Sequence, residues 1–181
     1  MRKGFTLLEL LIVIGILAIL ATVVALVLNP AELLRQARDS QRLSDLRTIN
    51  SALGLWFASA SSTTMTATTT CTVGTALFSG DSGSCVTNAV TTVLGNGWVN
   101  SINFANIPGG SPLARLPLDP SQSATNYYIF KNDGTYYELN ASMESDKYKS
   151  GGTADVESNT KDGGDNADVY EIGTDPALDL I

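Results

Sequence analysis

Between Phe5 and Leu28 the chain runs 24 residues with only Thr6, Glu9, Gly15 and Thr22 departing from strongly apolar character. A helix of that length extends about 36 Å, more than the roughly 30 Å of a bilayer's hydrocarbon core. A helix on the surface of a soluble domain keeps a polar face, and this stretch has none. The pattern predicts a membrane-crossing helix over residues 5–28.

Asn29-Pro30-Ala31-Glu32 then interrupts the run. Proline either kinks a continuing helix or sits in the first turn of a second one, with Asn29 as cap and Glu32 three positions later. Beyond it Leu43, Leu46, Ile49, Leu53 and Trp56 recur at spacings of three and four, with Phe57 alongside. That is one apolar helical face, opposed by Arg42, Asp45 and Arg47. An amphipathic helix is expected over 29–58, its apolar stripe needing a sheet to cover it.

Past the helix, "SASSTTMTATTTCT" at residues 59–72 reads as a Ser/Thr-rich connecting loop. "GNGWVNSINF" offers short β-prone pieces. "NYYIFKNDGTYYELNA" is a clear hairpin, with strands at Tyr127–Lys131 and Thr135–Ala141 about the turn at Asp133-Gly134. "IPGGSPLARLPLDPS" holds four of the six prolines and is a loop. After Asn140 the chain reads as irregular, and from Asp133 to Ile181 acids outnumber lysines twelve to three.

Composition narrows the chemistry. The 181 residues include no histidine, which removes the commonest general base and the usual zinc sets. "SGDSGS" at 79–84 carries the tetrapeptide found around a serine-protease nucleophile, but Ser82 has no imidazole to take its proton. No enzyme is expected. A formal charge of −7 argues against nucleic acid as a partner. Cys71 and Cys85, 14 positions apart without a CxxC spacing, read as a disulfide if the region is exported.

Glu9 is the oddity of the apolar run. Thr6-Leu7-Leu8-Glu9 is a capping-box pattern, and a carboxylate in a first turn suits the helix dipole. That leaves the preceding Arg2-Lys3-Gly4 without a role. The stretch "RKGFTLLELLIVIGILAILA" resembles the class III signal of type IV prepilins: a short basic leader ending in glycine, then phenylalanine, a hydroxyl residue, two leucines, a glutamate and an unbroken apolar helix.

The resemblance implies cleavage between Gly4 and Phe5 by a prepilin peptidase, N-methylation of Phe5, and a filament in which Glu9 pairs with the Phe5 amine of a neighbouring subunit. Losing Arg2 and Lys3 from the 11 basic residues leaves 9 against 18 acidic ones, a formal charge of −9. It also implies an α+β fold: a long, kinked N-terminal helix, transmembrane in its first part, packed on a small antiparallel sheet head. The expected division is a leader at 1–4, an assembly helix at 5–28, its amphipathic continuation at 29–58, and an exported head at 59–181 with the hairpin at 126–141.

Implied partners are copies of the chain and related pilins, the peptidase, an inner-membrane assembly platform and membrane lipid. The expected path is a single-pass inner-membrane precursor, then an extracellular or cell-envelope filament. Arg35, Arg38, Arg42 and Arg47 outnumber Arg2 and Lys3, so the positive-inside count opposes this orientation. A type II secretion pseudopilin and a single-pass anchored adhesin are the rival readings. Asp162, Asp165 and Asp168 lie three apart in a Gly-rich stretch that resembles the calcium-bearing C-terminal loop of major pseudopilins. Calcium there stands beside the plainer reading of a solvated acidic loop, since the spacing is not that of an EF-hand.

Overall fold

The computed structural model describes residues 4–60, 64–81 and 83–181. The chain divides into two compact units, Met1–Arg35 and Gln36–Ile181. The first unit holds helix α1, Leu7–Leu28, and the opening turn of helix α2, Pro30–Ser59. Between them Asn29 adopts a left-handed conformation (φ 38°), and its side-chain oxygen accepts the Glu32 amide. The second of the two readings of Asn29-Pro30 is the one realised, with Pro30 opening a new helix where its missing N–H costs nothing.

The second unit sets the rest of α2 against a five-stranded sheet. The strands are β1 Thr68–Cys71, β2 Val86–Thr87, β3 Tyr128–Asn132, β4 Tyr137–Ala141 and β5 Tyr170–Gly173, in the order β2-β1-β3-β4-β5. All neighbours pair antiparallel except β1 and β2, which run parallel. The head is α+β with a small sheet, antiparallel as expected except that the β1–β2 pair makes it mixed.

Alternation along the strands separates two faces. Tyr128 and Phe130 of β3, Tyr137, Leu139 and Ala141 of β4 and Tyr170 of β5 meet Leu43, Leu46, Ile49, Leu53 and Trp56 of α2 in the main core. Trp98, Ile102, Phe104 and Leu116, from the long segment between β2 and β3, close its side. On the other face a smaller cluster gathers Cys71, Phe78, Cys85, Tyr127, Ile129, Val169 and Ile181.

Three expectations need correction. Residues 59–72 are not loop throughout, because β1 occupies their end. Its Thr70 is buried, the hydroxyl donating to the Trp98 carbonyl. "GNGWVNSINF" forms no strand, only a single bridge between Leu94 and Asn103 and a 3₁₀ turn at Phe104–Asn106. The region after Asn140 does hold a strand, β5. The hairpin stands, with strands at 128–132 and 137–141; Gly134 takes φ 98°, and the Asp133 carboxylate accepts the Thr135 and Tyr136 amides.

Candidate functional site

The N-terminal segment is built around one local motif. Thr6 is the N-cap of α1 (φ −81°, ψ 152°), its hydroxyl oxygen accepting the Glu9 amide at 3.2 Å. Glu9 answers through Oε2, which accepts the Thr6 amide at 3.0 Å and the Thr6 hydroxyl at 2.8 Å. Two amides that helix geometry leaves without partners are thereby satisfied. Both contacts fall on one oxygen, so the capping box occupies half of the carboxylate.

Gly4 and Phe5 precede the cap and are exposed, Phe5 at 79%. A β-carbon built on Gly4 would meet nothing within 4 Å. The Gly4–Phe5 bond lies in exposed chain ahead of the helix. From Leu7 to Val24 the helix is long and apolar enough to cross a membrane, and none of that window is buried within the protein. So much apolar surface exposed to water is unfavourable at about 25 cal/mol per Å², and lipid or other apolar helices must cover it. Arg2 and Lys3 lie outside the described residues.

In the head, Cys71 and Cys85 are joined in a disulfide with Cα atoms 5.7 Å apart. The loop it closes is braced by Phe78 stacked on Tyr127 and by the Tyr127 hydroxyl donating to the Ala76 carbonyl at 2.9 Å. Ser82, from the protease-like tetrapeptide, lies outside the described residues.

The aspartates of the C-terminal loop are spread apart in their tasks. The Asp162 carboxylate accepts the backbone amides of Gly164 and Glu171, each at 3.1 Å. Asp165 and Asp168 are exposed. Among the described residues no group of three or more His, Cys, Asp or Glu side chains is placed to hold a metal ion.

Two buried charge clusters escaped the reading of the pattern. Arg42 and Asp45, expected on a solvated helix face, are buried; Arg47 alone of that trio is exposed. The Arg42 guanidinium reaches Asp39, Asp119, Ser121 and Glu144. Arg38 also pairs with Glu144, and that contact, with help from Ser121 and Arg42, holds the Glu144 carboxyl down at about 2. The Asp39 carboxylate accepts the Glu144 and Ser145 amides. Asp45 takes the Tyr128 hydroxyl at 2.9 Å, and burial raises its pKa. The one signal in the sequence was a run of alternating charges at i, i+3 and i+4 beside the apolar stripe, which solvated helices share. The second cluster centres on Glu138 and Glu171, both buried in the sheet.

Comparison with known proteins bears on the N-terminus. Residues 1–25 match the family described as the prokaryotic N-terminal methylation motif, the class III signal of type IV pilin-like proteins. No curated protein and no solved structure matches the chain. The motif implies a membrane-anchored precursor handled by a prepilin peptidase, and it points to a structural protein rather than an enzyme.

Proposed function

We propose that this chain is the structural subunit of a type IV pilus-like filament. A prepilin peptidase removes residues 1–4, Phe5 becomes the methylated N-terminus, and α1 is the element through which subunits polymerise. The precursor waits in the inner membrane as a single-pass protein, with the head outside. The observation that carries this reading is the juxtaposition at one helix end: an open, exposed Gly4–Phe5 bond, the Thr6–Glu9 capping box, and an apolar helix with no cover of its own.

Assembly then exchanges lipid contacts for packed helix contacts. Cleavage creates a positive amine on Phe5, and the Glu9 oxygen not used by the capping box is available to pair with such an amine on a neighbouring subunit. In a dry bundle of helices an unpaired carboxylate is costly, so the pair sets the stagger between subunits. Mass spectrometry of the protein isolated from cells tests the reading: a chain beginning at N-methylated Phe5 is expected, and an intact N-terminus overturns it in favour of an anchored adhesin.

A pseudopilin of a type II secretion system shares the processing step and differs in where the polymer lies. Recovery of the chain as the bulk component of sheared surface filaments supports the pilus. Calcium on Asp162, Asp165 and Asp168 would have to draw the Asp162 carboxylate off the Gly164 and Glu171 amides. A calorimetric titration with calcium that yields no heat removes that part of the pseudopilin reading.

A further inference from the structure

Glu138 on β4 and Glu171 on β5 stand on the sheet face opposite the helix, at 0% and 2% exposure. The register pairs Asn140 with Glu171 and Glu138 with Gly173, so the two glutamates are diagonal cross-strand neighbours. The Asn140 amide donates to Glu171 at 3.4 Å. Each carboxylate also carries a piece of the covering chain. Glu138 Oε2 accepts the Leu180 amide at 3.0 Å, and Glu171 Oε2 accepts the Asn166 amide at 3.1 Å. Glu138 Oε1 is buried and accepts no hydrogen bond of good geometry from the described residues.

Neither glutamate is held by a direct cationic partner among the described residues. Lys131 of β3 sits opposite Glu138 in the register, but its ammonium donates to the Leu180 carbonyl. Arg47 and Lys161 share a surface cleft with Asp162 and Glu171 without pairing to Glu171. The other charges acting on Glu171 are negative, Asp162 and Asp165 on the covering loop, with Asp81 of the disulfide loop bonded to Asn166; in the tail the Asp179 amide donates to the Asp175 carboxylate. The covering loop packs closely here, since a β-carbon on Gly164 would fall 1.8 Å from Glu171 Oε2. Two ionised carboxylates buried side by side repel each other, and a single proton both removes the repulsion and supplies the orphaned oxygen with a donor.

We propose that Glu138 and Glu171 keep one proton between them and so form a proton-dependent latch, holding the loop at 162–169 and the tail at 175–181 onto the outer face of the sheet. This role is independent of how the N-terminal helix is used. Burial, reinforced by the Glu138 charge, pushes Glu171 up to about 9 from an ordinary 4.5. Over that window the folded chain binds more protons than the unfolded one, so stability falls as pH rises.

The test uses the full chain in detergent micelles. The melting temperature should fall by several degrees between pH about 5 and about 9, and Glu171→Gln, whose amide needs no proton to stay neutral, should lose at least half of that fall. Equal pH slopes in the two proteins overturn the latch. So does calcium restoring the wild-type melting temperature at alkaline pH, which would make a cation the neutralising species. Should the variant not fold, hydrogen exchange on the wild type decides. The Asn166 and Leu180 amides should lose protection on approaching pH 9 while the β3–β4 hairpin keeps it, and unchanged protection overturns the proposal.

Discussion

The Arg42 guanidinium forks onto the Asp119 carboxylate, Nε to Oδ2 at 2.6 Å and Nη2 to Oδ1 at 3.0 Å, with both side chains shut away from solvent. Asp119 comes from the proline-rich loop, 77 positions along the chain. The bidentate geometry fixes where that loop lies on α2, which no apolar contact of similar area would do with the same directionality. Glu144, at the exit of β4, closes the network from the other side. The helix, the loop and the sheet are thus registered by one cation.

Removing that cation strands buried carboxylates. Arg42→Ala should cost about 3–5 kcal/mol in urea unfolding, the range for breaking one side of a buried pair. Arg42→Lys should recover little, because an ammonium cannot span the fork. Arg38, a third exposed and bonded to Glu144, should cost no more than about 1 kcal/mol as Arg38→Ala.

The helical phase of α2 can be checked by a matched pair of leucines. Leu46 is fully buried beneath the sheet while Leu55 is 45% exposed. Leu46→Ala should cost about 2–5 kcal/mol, and Leu55→Ala about 0.5 kcal/mol or less. Similar losses at both positions would contradict a core built on Leu46 and not on Leu55.

Two glutamates give opposite pH slopes. Glu144, held at about 2 by Arg38, contributes stability that is present above its unfolded value of 4.5 and is lost as pH falls toward 2. Burial pushes Glu157 up to about 7, against the pull of the Met143 and Ser150 amides, so its contribution declines as pH rises from about 4.5 to 7. In a pH series of unfolding midpoints, Glu157→Gln should flatten the decline toward neutrality and leave the acid limb unchanged. Glu144→Gln should do the reverse.

Reducing the Cys71–Cys85 disulfide frees a loop of 14 positions, worth about 3 kcal/mol by the chain-entropy estimate. The β3–β4 hairpin does not depend on it. Reduction should therefore lower the melting temperature while far-ultraviolet circular dichroism stays native at room temperature, with proteolysis appearing first within residues 73–84.

Capping and docking by Glu9 separate cleanly by mutation. Thr6→Ala removes the cap, at about 1 kcal/mol of helix stability, but leaves the carboxylate. Glu9→Ala removes the carboxylate and its return bonds to Thr6, while the backbone amide at position 9 still donates to the Thr6 hydroxyl. If Glu9 sets the subunit register, Thr6→Ala should still enter filaments and Glu9→Ala should not, with both processed normally. Equal incorporation of the two variants would refute the docking role.

Much of this was legible along the chain because it is local. The long apolar helix, its cap, the break at Asn29-Pro30, the stripe from Leu43 to Trp56 and the turn at Gly134 each depend on neighbours within a few positions. The misplaced features are those whose partners are distant. Thr68–Cys71 looks like any threonine-rich linker until β3 pairs with it. Tyr170–Gly173 sits among glycines and acids, and becomes a strand only because β4 offers an open edge. Val86–Thr87 is too short to show any period.

By itself, then, the amino-acid order determined a greasy, capped helix behind a glycine and an amphipathic continuation waiting for a sheet, since backbone hydrogen bonding and side-chain periodicity are short-range. Only the tertiary structure decided which charges go inside. Arg42, Asp39, Glu138 and Glu171 look on paper like residues for water, and burial of each is tolerable only where a partner from elsewhere in the chain, or a shared proton, meets it at hydrogen-bond distance.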